Sequence, residues 1–137
     1  MHEKKYLILC TGNSCRSIIA EALLNYDLSY CVNAYSAGVA ASGKVNPNAE
    51  KILKQNNMWS ENYHSKAIET ILGVKFDLVV TVCGNAQETC PTFPGKTEVI
   101  HIGFDDPDGQ AFDVFKQTFM QIREKLVPVV SDKLCLS

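Results

Sequence analysis

Short apolar runs alternate with longer amphipathic stretches along the chain. The short runs predict strands at about Tyr6–Leu9, Val32–Ser36, Asp77–Val82 and Glu98–Ile102. Helical spacing of apolar residues predicts helices over roughly Ser17–Leu28, Pro47–Asn56, His64–Leu72 and Phe112–Val127. Strands that alternate with helices predict an α/β fold, here a single three-layer domain over residues 1–137 with a parallel sheet and helices on both faces.

Two prolines predict helix boundaries. Asn46 followed by Pro47 is a good N-cap with proline at the first helical position. Pro128 should end or kink the last helix, because proline lacks the N–H that a helix interior uses.

Composition narrows the class of protein. The 137 residues are 46% hydrophobic and 20% charged, which is typical of one globular domain with a full core. A formal net charge of −2 argues against a nucleic acid or an anionic membrane as partner. No apolar run approaches the ~18 residues of a membrane span, and the first run is too short for a signal peptide. We therefore expect a cytoplasmic protein, and we expect a monomer.

Cysteine is frequent for a cytoplasmic chain, where structural disulfides are rare. The six are Cys10, Cys15, Cys31, Cys83, Cys90 and Cys135. They form no C-x2-C pair and have no nearby histidine, so we predict no metal site. A nucleophilic or redox function of the cysteines therefore remains. Cys31 and Cys135 lack a partner motif and are interpreted as structural.

One loop joins the first predicted strand to the first predicted helix, at the end of the strand where open α/β sheets bind ligands. A helix N-terminus, successive backbone N–H groups and the Arg16 guanidinium would stabilise both a thiolate at Cys10 and a bound oxyanion. We predict a tetrahedral-oxyanion site formed by Thr11, Gly12, Asn13, Ser14, Cys15, Arg16 and Ser17. Within it, Ser17 is placed to donate to the Cys10 sulfur, and Cys15 is interpreted as supporting the loop. A structural cysteine at an ordinary strand–helix turn explains this combination poorly.

A second signal follows the last predicted strand, at Phe104-Asp105-Asp106-Pro107. Two acids before proline often form only a turn. Displacement at an oxyanion, however, needs an acid that protonates the leaving oxygen. Asp106 is the candidate, with Asp105 as the alternative.

The two motifs together resemble the low-molecular-weight protein-tyrosine phosphatase superfamily. The resemblance covers nearly the whole chain, including Tyr35-Ser36-Ala37-Gly38, and implies a phosphatase-like fold with a four-stranded parallel sheet. The segment from Val82 to Pro91, with Cys83 and Cys90, resembles the redox segment of thioredoxin-coupled arsenate reductases. Asp108-Gly109-Gln110 stands where tyrosine phosphatases usually carry aromatic residues.

The resemblance implies a three-cysteine mechanism for arsenate reduction without a bound cofactor. Cys10 attacks arsenate while Asp106 helps water depart, and Cys83 then attacks the Cys10 sulfur and releases arsenite. Cys90 next attacks Cys83, which leaves a Cys83–Cys90 disulfide for thioredoxin to reduce. Glutaredoxin or another low-molecular-weight thiol stays open as the electron donor.

Two other functions compete with this one. A low-molecular-weight protein-tyrosine phosphatase would use Cys10 as phosphocysteine and Asp106 as general acid, with Cys83 and Cys90 as small buried hydrophobes. A phosphocysteine carrier or non-catalytic module needs neither Arg16 nor Asp106, so these two residues argue against it.

Helix geometry adds a prediction about the redox pair. If residues 83–90 were helical, seven residues at about 1.5 Å each would separate the two Cα atoms by ~10 Å. A disulfide spans at most about 7 Å, so the segment must unwind when it is oxidised.

Some reductases of this family hold potassium behind the loop, and Asn13, Glu21 and Ser36 match positions that contribute there. Lys66 stands where those enzymes carry a carboxylate, and a lysine repels a cation. We predict no potassium site. Lys66 either supplies the positive charge to Glu21 or points into solvent.

Overall fold

The computed structural model describes residues 4–29, 31–83 and 95–135. Its elements, in chain order, are β1 (Lys4–Cys10), α1 (Arg16–Asp27), β2 (Val32–Gly38), α2 (Pro47–Gln55), a 3-10 helix (Ile68–Ile71), β3 (Leu78–Cys83), β4 (Val99–Phe104) and α3 (Phe112–Cys135). The four strands form one parallel sheet in the order β2-β1-β3-β4. The predicted four-stranded parallel sheet is confirmed.

The sheet register brings the ends of the strands together at one edge. Cys10, the last residue of β1, is aligned with Gly38 at the end of β2. Cys83 ends β3 and is aligned with Phe104, the last residue of β4. The carboxyl ends of all four strands therefore meet at the Cys10 loop, as open α/β sheets place their ligand sites.

Strand side chains alternate between two separate apolar clusters, as the pleat requires. Ile8 and Cys10 face the larger cluster, which packs against α1, α2 and α3. Leu7 and Leu9 face the smaller cluster, which contains Ile68 of the 3-10 helix. Within the described ranges, none of the helices combines the length and the apolar character that a membrane crossing requires.

One predicted helix is wrong. The interval His64–Leu72 contains only the 3-10 helix Ile68–Ile71. Ala67 is extended, with φ −75° and ψ 147°, and forms an isolated parallel bridge with Gly38. The Gly38 N–H also donates to the Lys66 carbonyl at 2.9 Å. Pairing with the end of β2 therefore replaces the helix that the apolar spacing favours.

The two prolines behave differently. Pro47 begins α2 as predicted, and the side-chain oxygen of Asn46 caps the helix by accepting from Asn48 N at 2.9 Å. Pro128, by contrast, does not end α3, which continues to Cys135. The apolar stripe continues past it, because Leu126 and Val130 are both fully buried. Tertiary packing outweighs the lost helix hydrogen bond.

Candidate active site

The Cys10 loop is held open by backbone hydrogen bonds on its outer side. Its carbonyls accept from the amides of the segment 39–46, in the pairs Cys10 O with Val39 N (3.2 Å), Thr11 O with Ala40 N (3.0 Å), Gly12 O with Ser42 N (2.9 Å) and Ser14 O with Asn46 N (2.9 Å). In a trans peptide unit the C=O and the N–H point in opposite directions. The four amides that follow these carbonyls, at residues 11, 12, 13 and 15, are therefore turned toward the inner side of the loop.

Glycine at the end of β2 permits this close packing. A Cβ on Gly38 would lie 2.5 Å from the Thr11 carbonyl oxygen and 3.0 Å from Asn13 Cβ. Any other residue would therefore push the loop away from the sheet. The sequence contained this glycine within Tyr35-Ser36-Ala37-Gly38, but not its contact with the loop.

Cys10 lies at the bottom of the loop, with only 2% of its surface exposed. Its sulfur accepts from Asn13 N at 3.2 Å, and Ser17 Oγ is 2.9 Å away. Asn13 has φ 49°, the left-handed conformation that asparagine tolerates well. Both contacts stabilise negative charge on the sulfur.

The side chain of Asn13 braces the loop from behind. Its Oδ1 accepts from Lys66 N at 2.7 Å, which fixes the amide orientation. Its Nδ2 then donates to Ser17 Oγ at 2.8 Å and to Ser36 Oγ at 3.0 Å. Ser17 Oγ thus accepts from Asn13 and lies within hydrogen-bond distance of the Cys10 sulfur.

The chain of hydrogen bonds ends at a buried carboxyl group. Ser36 Oγ donates to Glu21 Oε1 at 2.6 Å. Burial raises the pKa of Glu21 to about 7, against the opposing effects of Lys66 and the Ser36 hydrogen bond. Lys66 lines the same rear cavity of about 420 Å³ as Glu21, and burial lowers its pKa. Its Nζ donates to the His64 carbonyl at 3.0 Å, so Lys66 is half-buried rather than directed into solvent.

Arg16 links the loop to the end of β4. Its guanidinium is 3% exposed, with Nη1 donating to the Phe104 carbonyl at 3.0 Å. Its Nη2 lies 3.5 Å from Asp106 Oδ2. Asp106 lines the loop cavity, whereas its neighbour Asp105 does not. Of the two candidates, Asp106 is therefore the one that lies at the loop.

These groups enclose a cavity of about 360 Å³. It is lined by Cys10, Thr11, Gly12, Asn13, Ser14, Cys15, Arg16, Ser42, Asp106 and Asp108. All predicted loop residues line it except Ser17, which is fully buried and reaches Cys10 from behind. Sequence reasoning missed Ser42, because nothing in its local sequence indicates that it approaches the loop. It noted Asp108 only as part of the segment where tyrosine phosphatases usually carry aromatic residues.

Cys15 has an environment that disfavours a thiolate. Burial raises the pKa of Cys15 to about 12, and the carboxylates of Asp106 and Asp108 act in the same direction, although a hydrogen bond from Ser14 opposes them. Cys15 thus stays a thiol at neutral pH. This agrees with a supporting role in the loop.

The redox cysteines are only partly described. Cys83 is a buried thiol at the end of β3. Cys90, and with it the predicted unwinding of 83–90, lies outside the described residues. Among described residues, no group of three or more histidines, cysteines and acids could hold a metal ion.

Comparison with known proteins places the chain in a family. Residues 5–132 match the low molecular weight phosphotyrosine protein phosphatase family, and the chain belongs to it. Within that family the chain is similar to proteins named arsenate reductase. It is 42% identical over 125 residues to arsenate reductase 1 of Bacillus cereus, an alignment that covers 91% of this chain and 92% of the relative.

Solved structures share the fold. The crystal structure of an arsenate reductase from Archaeoglobus fulgidus superposes with a TM-score of 0.82 at 25% identity, covering 92% of this chain and 98% of that one. A low molecular weight protein tyrosine phosphatase from T. tengcongensis superposes with a TM-score of 0.76 at 23% identity, covering 95% and 99%. The fold is therefore common to reductases and phosphatases, and only the site can separate them.

Proposed function

We propose that the protein is an arsenate reductase. The observation that carries the proposal is the Cys10 thiol beneath inward-facing loop amides, in a chain 42% identical to an arsenate reductase over most of its length. A thiol in this position attacks a bound tetrahedral oxyanion, and arsenic(V) can accept the two electrons that phosphorus(V) cannot.

The first step forms a Cys10–arsenate bond. The loop amides and Arg16 hold three arsenate oxygens, and the fourth faces the mouth of the cavity. Cys10 displaces that fourth oxygen, a hydroxyl group that takes a proton from Asp106 and leaves as water. The position of Asp106 on the cavity wall, 3.5 Å from Arg16, supports this role.

The second step breaks the sulfur–arsenic bond. Cys83 attacks the Cys10 sulfur, the bonding electron pair goes to arsenic, and arsenite leaves behind a Cys10–Cys83 disulfide. Its place supports this role, because β1 and β3 are adjacent parallel strands and Cys10 and Cys83 are their last residues. Because Leu9 pairs with Thr81, Cys83 lies one residue beyond the position opposite Cys10. Strands about 4.8 Å apart with a rise of about 3.3 Å per residue then give a Cα separation of ~6 Å, which a disulfide can span.

The third step transfers the disulfide away from the site. Cys90 attacks Cys83 and restores the Cys10 thiolate, and thioredoxin reduces the Cys83–Cys90 disulfide. The role of Cys90 rests on its sequence resemblance alone. We further propose that the protein works in the cytoplasm as a monomer, without a bound cofactor and with residues 1–137 as one unit.

An assay of arsenate-dependent NADPH oxidation with thioredoxin and thioredoxin reductase tests the proposal. Substitution of serine for Cys10, Cys83 or Cys90 should abolish turnover. Cys31→Ser is the matched control and should keep it, because Cys31 lies at the start of β2, away from the loop. In a single turnover, Cys90→Ser should release one arsenite and stop at a Cys10–Cys83 disulfide. Sustained turnover by Cys90→Ser would exclude the relay.

A phosphatase is the second candidate, because the cavity accepts phosphate as readily as arsenate and Asp106 can protonate an ester oxygen. Hydrolysis of p-nitrophenyl phosphate by wild type and by Cys83→Ser distinguishes the two functions. Strong hydrolysis by both proteins, together with no arsenate turnover, would identify a phosphatase.

A further inference from the structure

The mouth of the loop cavity carries a carboxylate that the proposed chemistry does not use. Asp108 lines the cavity together with Asp106, and both are exposed, whereas Cys10 is buried at its floor. The Asp108 amide donates to Asp106 Oδ1 at 3.0 Å, so the two side chains are parts of one turn. The floor of the cavity attracts anions, and its mouth is acidic.

Asp108 is held in place by a helix cap. Asn46 Nδ2 donates to Asp108 Oδ1 at 2.8 Å. The amide of Asn46 cannot flip, because its Oδ1 accepts from Asn48 N at the start of α2. Asn46 N is also bonded to the Ser14 carbonyl of the loop. Asp108 is therefore fixed relative to the loop, although its side chain is exposed.

The field of this carboxylate reaches into the loop. The Cys15 sulfur lies 4.0 Å from Asp108 Oδ1. The charges of Asp106 and Asp108 both contribute to the raised pKa of the Cys15 thiol. A ligand in the cavity is subject to the same two charges.

We propose that Asp108 determines specificity by accepting a hydrogen bond from the hydroxyl group of a free oxyacid. The proposal rests on the proposed function, in which three oxygens of arsenate bind the loop and the fourth faces the mouth. In a free oxyacid this fourth oxygen is a hydroxyl and donates to the carboxylate. In a phosphate ester or an aryl phosphonate, the organic group occupies that position and offers Asp108 no hydroxyl donor, so the hydrogen bond and its contribution to binding are lost.

Inorganic phosphate and phenylphosphonate make a matched pair of probes. Both are dianions in mildly alkaline solution, so repulsion by the acidic mouth is common to both, and only phosphate offers an outward hydroxyl. Their dissociation constants can be measured from protection of Cys10 against iodoacetamide, read by mass spectrometry of the Cys10 peptide. The ratio of the two constants then isolates the hydrogen bond.

Asp108→Ala should reduce the preference for phosphate over phenylphosphonate by about tenfold, the usual effect of one hydrogen bond to a charged group. Asp108→Asn, which keeps a weaker acceptor, should reduce it less. Asn46→Ser keeps the helix cap but releases Asp108, and should shift the ratio in the same direction. Asp113→Ala removes an exposed charge outside the cavity and should leave the ratio unchanged.

An unchanged ratio in Asp108→Ala, or an equal change in Asp113→Ala, would overturn the proposal. In turnover, Asp108→Ala should lower kcat/KM for arsenate and raise it for p-nitrophenyl phosphate. The binding measurement needs no turnover. A protein that reduces no arsenate but shows the tenfold change would refute the proposed function and keep the role of Asp108.

Discussion

The front and the rear of the Cys10 loop have opposite electrostatic characters. The front is a cavity with inward amides, a thiol and the Arg16 guanidinium, which together favour an anion. The rear is a polar cavity around the buried Glu21 carboxyl, with Lys66 as its neighbouring cation. Asn13 belongs to both sides, because its backbone amide binds the Cys10 sulfur while its side chain binds Ser36 and Lys66 N.

The difference separates two tasks. Backbone amides face the cavity in front, and side chains fix the backbone from behind. A change at the rear should therefore alter geometry and stability while the reacting groups stay present. The following predictions test that division, in order of decreasing effect.

Gly38→Ala should have the largest effect, because its Cβ would lie 2.5 Å from the Thr11 carbonyl oxygen. The loop must move, and a displacement of about 1 Å lowers kcat/KM by ~10²-fold. Overpacking should also cost about 1–3 kcal/mol of unfolding free energy. Steady-state kinetics and urea unfolding measure the two effects. Gly73→Ala is the control, since nothing lies within 4 Å of a Cβ there.

Asn13→Ala should remove the side-chain hydrogen bonds behind the loop and strain the backbone. Together these effects should lower the free energy of unfolding by about 2–3 kcal/mol. Asn13→Gly loses the same hydrogen bonds but accepts φ 49° without strain, so it should be about 1 kcal/mol more stable than Asn13→Ala. Asn57, which has φ 58° and is exposed, provides the control pair. Urea unfolding of the four variants separates strain from hydrogen bonding. Equal stability of Asn13→Ala and Asn57→Ala would contradict a bracing role.

Glu21→Gln should change how stability depends on pH. Folding raises the pKa of Glu21 from 4.5 to about 7, so the folded protein binds the extra proton between these values. Wild-type stability should therefore fall, relative to Glu21→Gln, as pH rises from about 4.5 to about 7, by about 3 kcal/mol. Lys66 and Tyr63 line the same cavity as Glu21, and the charge of Glu21 acts on both. Unfolding free energies of both proteins, measured at several pH values, test the prediction. Equal pH dependence of wild type and Glu21→Gln would refute it.

Potassium ions should have no specific effect on turnover or stability, which makes this the smallest of the expected effects. We propose that Lys66 supplies the positive charge to Glu21, since both line the rear cavity and each shifts the pKa of the other. Turnover and Tm should be equal in potassium and sodium chloride at the same ionic strength. A rise in either quantity that is specific to potassium would show that the rear cavity binds the ion.

The local sequence was sufficient to predict a feature wherever the residues that form it lie close together along the chain. Cys10, Arg16 and Ser17 lie in one short segment, from the end of β1 to the start of α1, so their close approach could be predicted from the order of the residues alone. Four strands were likewise predicted within two residues of their observed bounds, because each is a short apolar run between polar segments.

Contacts between segments that are distant in sequence explain the features that were not predicted from the sequence. Asp108 approaches the loop through contacts with Asn46 and Cys15, both of which lie far from it in sequence. The helix predicted over His64–Leu72 is absent because residues 66 and 67 pair with Gly38 at the end of β2. Pro128 was expected to end or kink the last helix because proline lacks an N–H. Helix α3 instead continues past it, because Leu126 and Val130 on either side are buried in the core.

The segment 39–46 has a consequence for how this protein tolerates change. Four of its amides, at residues 39, 40, 42 and 46, bind four carbonyls of the loop, and none of these bonds uses a side chain. Substitutions there should accumulate readily, provided that Asn46 continues to cap α2 and that glycine stays at position 43, where φ is 83°. Insertion or deletion of a single residue would instead put all of the later bonds out of step. Over evolutionary time, the segment should vary in composition while its length stays constant.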